Sequence, residues 1–163
     1  MKTNIASFIK LLLFTGLFFT GSAFNVQTSD THEVFIPKKN VAFKKGEFLT
    51  YRLHYGAIDA GIATLEVTEE ERIFGGRPTY HVVGLGKSTG AFDWFFKVRD
   101  RYESYIDKEA LVPMTFIRRV DEGGYKINQN YVYNHYQKQV ISEGKAYDVP
   151  KDINDIQDMI SAF

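Results

Sequence analysis

From Glu47 onward the chain alternates with period two, and this pattern restricts the fold more than any other feature of the sequence. Leu49, Tyr51, Leu53 and Tyr55 alternate with Thr50, Arg52 and His54; Ala63, Leu65 and Val67 then alternate with Thr64, Glu66 and Thr68. Successive side chains of a strand point to opposite faces, so such alternation describes strands with one face buried and one wet. Further strand patterns follow over Thr79 to Gly90, Phe95 to Ile106, Met114 to Val120, Tyr125 to Tyr136 and Gln139 to Ser142. The connections are short and glycine-rich: "GAIDAGIA", "FGGRP" and "DEGG". Parallel crossovers need a dozen or more residues, so six or seven strands joined in this way must form an antiparallel meander. A sheet of that many strands curls, and the expectation is a mainly β fold, a half-barrel or incomplete barrel.

Within the connections, Gly56 and Gly61 suit either a tight turn or a close backbone approach. Gly84 and Gly86 bend their strand or admit a bulky neighbour against bare backbone. At the end of the chain, Val149, Ile153, Ile156, Met159, Ile160 and Phe163 fall near helical spacing after Pro150, which predicts a short C-terminal helix. That apolar face breaks off at Phe163 without a cap, so residues 46–163 read as a single β-rich domain that is incomplete at its C-terminus.

The N-terminus reads as an address. Lys2 and Lys10 precede the apolar run Leu11 to Phe19, and Gly21 and Ala23 stand at the spacing a signal peptidase reads. Residues 1–23 are therefore expected to be a signal peptide cleaved between Ala23 and Phe24, placing the protein in the periplasm or outside the cell. No transmembrane segment remains after cleavage, because the run is short of the ~20 residues that span a bilayer. Residues 24–45 are expected to be a mobile N-terminal segment, with a short edge strand at Val34 to Ile36.

The chain has no cysteine, so neither a disulfide nor a thiol-linked lipid supports it, and stability must come from a core of about 140 mature residues. Basic and acidic residues balance at 20 each, which argues against nucleic acid as a partner. The 14 Phe and 10 Tyr suit a pleated, half-buried surface.

No motif has catalytic spacing. The four histidines, 32, 54, 81 and 135, are scattered without metal-ligand spacing, so no metal or cofactor is expected. "GLGKSTG" lacks the four residues a phosphate loop needs before its Gly-Lys pair. A hydrolase built on Asp93, Asp100 and a histidine would require Asp100 and His81 to share a pocket.

The segment "GAFDWFFKVRDRYESYID" carries the densest chemistry. Arg99, Arg101 and Glu103 share one strand face, where neighbouring strands are expected to supply partners from His81, Lys87, Arg118 and Arg119. Asp100 falls on the more apolar face and needs a partner; Arg118 is the expected one, in a structural ion pair. Phe92, Trp94, Phe95 and Phe96 cannot all enter a period-two core, so a half-turn or short helix around Asp93 folds some of them over the end of the sheet. They either plug the core or wall an apolar pocket, and the candidate wall is Tyr51, Tyr55, Phe92, Trp94, Phe95 and Phe116.

Four stretches, "FKKGEFLTYRLHYGAIDAGIATLEV", "GKSTGAFDWFFKVRDRYESYID", "LVPMTFIRRVDEGGYK" and "YDVPKDINDIQDMISAF", resemble DUF3108, a family of exported bacterial proteins classed as a domain of unknown function. The resemblance implies an exported β-rich domain without known catalytic residues. It also implies further strands beyond the Gln-Asp-x-x-Ser-Ala-Phe segment. Two functional readings follow: a non-enzymatic binder of a lipid or other apolar small molecule, or a module of the cell envelope that recruits a protein partner through exposed strand edges.

Overall fold

A computed structural model describes residues 34–163. The expected signal peptide over residues 1–23, its cleavage point and residues 24–33 lie outside the described residues.

Nine strands form one antiparallel sheet: β1 (Phe48–Tyr55), β2 (Ile58–Val67), β3 (Ile73–Phe74), β4 (Arg77–Ser88), β5 (Arg99–Asp107), β6 (Pro113–Glu122), β7 (Tyr125–Asn134), β8 (Gln139–Ser142) and β9 (Lys145–Asp148). Their order is sequential, with the two-residue β3 set against the start of β4. The sheet is open, with β1 at one end of the order and β9 at the other. The antiparallel meander expected from the turn lengths therefore forms, with β3 and β9 in addition to the strands the alternation marks. One short helix, α1 (Gly90–Phe95), sits in the β4–β5 connection, where the aromatic run around Asp93 requires a break in the strand period. Strand β5 accordingly begins at Arg99, four residues later than the sequence pattern suggests.

Two glycines show why the meander turns where it does. Gly56, at φ +59°, makes the β1–β2 turn. Gly61 is a close approach: a Cβ there would lie 2.7 Å from the backbone oxygen of Lys87 on the adjacent β4. The two readings open for this pair are thus divided between them.

The main core lies on one face of the sheet. Val67, Val82, Ile106, Phe116 and Tyr133 are buried there, joined by Ile160 from the C-terminal segment and by Phe43, Leu65, Tyr80, Tyr102, Tyr131, Val140 and Ile156. The Cδ1 of Ile160 lies close above Gly84, which has no side chain to displace it. Gly84 and Gly86 stay in continuous register with β2 and β5, so they admit neighbours and do not bulge the strand.

The C-terminal segment is not a helix, which corrects the expectation from its apolar spacing. Residues 153–158 are irregular and 159–162 form turns. The reason is local: the Asp158 carboxylate accepts hydrogen bonds from the backbone N–H groups of Ile160 (2.7 Å) and Ser161 (2.8 Å), an alternative to helical pairing that Asp offers readily. Ile156 and Ile160 both still reach the core, so spacing suited to a helix face serves a strap across the sheet.

No strand forms at Val34 to Ile36. Phe35 is instead buried in a second cluster with Ala110 and Val112 at the β5–β6 turn, with the Arg77 guanidinium 4.3 Å from its ring centre. The Lys38 amide donates to the Glu109 carbonyl at 2.7 Å, and Phe43 packs edge-on against Tyr80.

Candidate functional site

The strap covers the middle of the core face and leaves the β1 side uncovered. Between them lies an apolar groove of about 290 Å³. Leu49 and Tyr51 of β1, Leu65 and Val67 of β2, Phe43 from the approach to β1 and Ile160 from the strap form its walls. Val67 is buried, while Leu49 and Tyr51 are 39% and 48% exposed, so the groove has a dry floor and a side open to solvent. A larger cleft of about 490 Å³ lies between the N-terminal and C-terminal segments, but Lys38, Lys138, Lys151 and Asp155 line it. The groove combines an apolar lining with a few polar groups at its edge, here Glu47 and Ser161.

The candidate pocket wall does not assemble as one surface. Tyr51 lines the groove. Phe116 is buried in the core, its ring parallel to that of Tyr102 with centres 6.2 Å apart. Tyr55 stands 79% exposed at the far end of β1. Phe92, Trp94 and Phe95 belong to α1 at that same end; Phe92 and Phe95 touch each other, and Trp94 is 90% exposed. The groove residues missing from the candidate wall include Phe43, Leu49, Leu65, Val67 and Ile160. Leu49, Leu65 and Val67 were marked by their alternation as facing inward, which does not distinguish a groove floor from ordinary core.

Asp100 and Arg118 share the core face, but no ion pair forms between them, contrary to the expected pairing. Register sets Arg118 opposite Tyr102, one step diagonal from Asp100. The Asp100 carboxylate instead accepts from the Asp121 amide at 3.1 Å and lies 3.5 Å from the Tyr102 hydroxyl. It is only half-buried, so the desolvation that would demand a charged partner is not incurred.

On the opposite face, Glu103 lies between two partners. His81 Nε2 is 2.8 Å from one carboxylate oxygen, and Arg101 Nε donates to the other at 2.7 Å. Burial pushes the Glu103 carboxyl up, but Arg101 and His81 outweigh it and hold the group below its ordinary range. His81 is buried, stacks on Tyr105 with ring centres 4.4 Å apart, and meets the Thr68 hydroxyl at 3.0 Å. Because His81 and Asp100 fall on opposite faces, the pocket a hydrolase would need does not form. Asp93 is engaged by Arg99 and by the Ser88 hydroxyl, with hydrogen bonds of 2.6 and 2.7 Å, and Arg99 holds its carboxyl down at about 2. His54, on β1, is separated from His81 by β2, and its Nδ1 lies 3.1 Å from the Gly56 carbonyl.

The arrangement is that of an open antiparallel β protein with a solvent-accessible apolar groove and, on the opposite face, a paired cluster of His81, Glu103 and Arg101. Within that class the chain belongs to the family described as "Protein of unknown function (DUF3108)", whose model matches residues 50–163. No curated protein and no solved structure matches the chain. No helix among the described residues is long and apolar enough to cross a membrane.

Proposed function

We propose that the protein is exported and holds an apolar ligand of the lipid class in the groove between β1, β2 and the C-terminal strap. The observation that carries this reading is the groove's construction: Leu49 and Tyr51 stay accessible beside a floor of buried apolar side chains. Soluble proteins seldom leave such a surface open without a use for it. Binding of cis-parinaric acid to delipidated protein, followed by fluorescence, tests it. Saturable binding is expected, weakened at least tenfold by Leu49→Glu with the fold retained by circular dichroism. Absence of saturable binding by the unaltered protein overturns it. Export rests on the sequence of residues 1–23; a periplasmic form whose mass begins at Phe24 supports it, and a chain that keeps Met1 in the cytoplasm refutes it.

A second reading has its own observation. Strand β1 pairs only with β2, and all eight of its residues are exposed, including Leu49, Tyr51 and Leu53. Natural sheets usually blunt so long an edge. Recruitment of an envelope protein by strand addition would protect β1 amides from hydrogen exchange only when that partner is present.

A further inference from the structure

One end of the sheet gathers the β1–β2 turn, the β4–β5 connection with α1, and the β6–β7 turn. They are tied together: the Thr89 amide donates to the Ala60 carbonyl at 3.0 Å, the Gly123 amide donates to the Lys97 carbonyl at 2.8 Å, and Val98 bridges to Glu122. Large apolar side chains project from all three connections. Tyr55 and Ile58 come from the first, Trp94, Phe95 and Phe96 from the second, and Tyr125 from the third; all are exposed, Trp94 most of all. The aromatic run therefore neither plugs the core nor walls the groove.

Cations accompany these aromatics. Lys87 stands directly opposite Arg99 in the β4–β5 register, and Arg101 directly opposite Arg119 in the β5–β6 register. Like charges placed opposite one another destabilise a sheet; Arg99 and Arg101 turn to Asp93 and Glu103, and Lys87 faces only a cation across the strand pair. Asp59 is taken by Arg52 and Asp93 by Arg99, whereas Lys87 and Lys97 have no carboxylate within ion-pair distance among the described residues. Asp100 and Glu122 are also at this end but fall by register on the core face with Arg118, and Asp121 is paired with Lys126, so the positive excess is confined to the opposite face, where Lys87, Arg99, Arg101 and Arg119 lie.

We propose that this end is a docking tip that seats on an anionic phospholipid membrane. Trp, Tyr and Phe side chains are suited to the headgroup region, where the ring is sheltered and a polar edge stays wet. Lys87 and Lys97 supply the attraction to lipid phosphates that aromatics alone lack. A protein partner would favour a groove or one continuous patch; three separate connections presenting aromatics at a common end fit a fluid surface better. The tip does not depend on the groove reading: Leu49 and Tyr51 lie towards the start of β1 and Tyr55 at its finish, so vesicle binding and ligand binding can fail separately.

Trp94 is the chain's single tryptophan, so its emission reports on this site alone. The full chain is titrated with phosphatidylglycerol–phosphatidylethanolamine vesicles and with phosphatidylcholine vesicles, with and without brominated acyl chains. Since residues 1–23 are themselves apolar, the Trp94 signal is the readout and not co-sedimentation. The expected result is a blue shift and bromine quenching with the anionic vesicles, weakened at least tenfold by Lys87→Glu with Lys97→Glu. Phe95→Ser, at an exposed position, reduces the quenching without unfolding the chain. Emission that ignores anionic vesicles, that responds equally to phosphatidylcholine, or that shifts with protein concentration alone because a second copy covers the tip, overturns the proposal.

Discussion

The Ser104 hydroxyl donates to Asp158 Oδ2 at 2.6 Å, with both residues buried, and this bond fastens the C-terminal strap to the middle strand β5. The other Asp158 oxygen closes the turn that aims Ile160 into the core. One carboxylate thus joins a local turn to a contact across 54 residues of chain.

Replacing that carboxylate should therefore release the strap. Asp158→Ala leaves the Ser104 hydroxyl and two backbone N–H groups without their acceptor, and the expected loss is about 3 kcal/mol. Urea denaturation measures it. A loss below about 1 kcal/mol would show that the strap is held by Ile156 and Ile160 alone.

Two glycines separate steric need from conformational need. Gly61→Ala forces a methyl group against the Lys87 carbonyl across a strand pair that cannot part locally, and should cost about 2–3 kcal/mol. Gly56→Ala meets nothing within 4 Å and pays only for its positive φ, about 1 kcal/mol. Equal midpoint shifts for the two variants would contradict the assignment.

The sequence discloses the sheet because period two is a property of neighbouring residues: Leu49, Leu65 and Val67 face inward wherever the strands lie. It does not disclose what covers the sheet. Ile156 and Ile160 have the spacing of a helix face, and only the contest between Asp158 and the backbone N–H groups decides for a strap. The apolar face of Asp100 predicts a need for a cation, but Asp100 is only half-buried, and exposure depends on distant chain. Likewise the cations facing Lys87 and Arg101 are visible only once register is known. The groove is the least legible feature, since its lining comes from β1, β2, Val82 of β4, Ile106 of β5 and two terminal segments that no local pattern connects.

Asp107 is fully buried and accepts a two-pronged hydrogen bond from Arg77, at 2.5 and 2.9 Å, as well as bonds from the Glu109 and Ala110 amides. Burial pushes its carboxyl up, but these donors outweigh burial and leave it below the usual aspartate range. The unfolded chain therefore takes up the proton first as pH falls. The stabilisation is complete above the unfolded value of about 3.9 and is lost as pH drops through the lower folded one. Asp107→Asn should remove this part of the acid transition and cost about 3 kcal/mol at neutral pH by taking the two-pronged acceptor from Arg77 and leaving it only its bond to the exposed Glu109. Unfolding curves at a series of pH values check both effects.

His135 produces a second slope nearer neutrality. Its Nε2–H donates to the Pro113 carbonyl at 2.7 Å, and the ring packs edge-on against Phe35 and parallel to Tyr133. Burial lowers its pKa; the Pro113 bond and the charges of Asp107 and Asp155 oppose that shift without cancelling it. A depressed histidine is charged more readily in the unfolded chain, so stability should fall as pH drops below about 6.5 and level off beneath the folded value. The slope should vanish in His135→Gln, whose side-chain amide still has an N–H to offer the carbonyl. An imidazole proton resonance for His135 that titrates at or above about 6.5 would refute this assignment and return the ring to solvent.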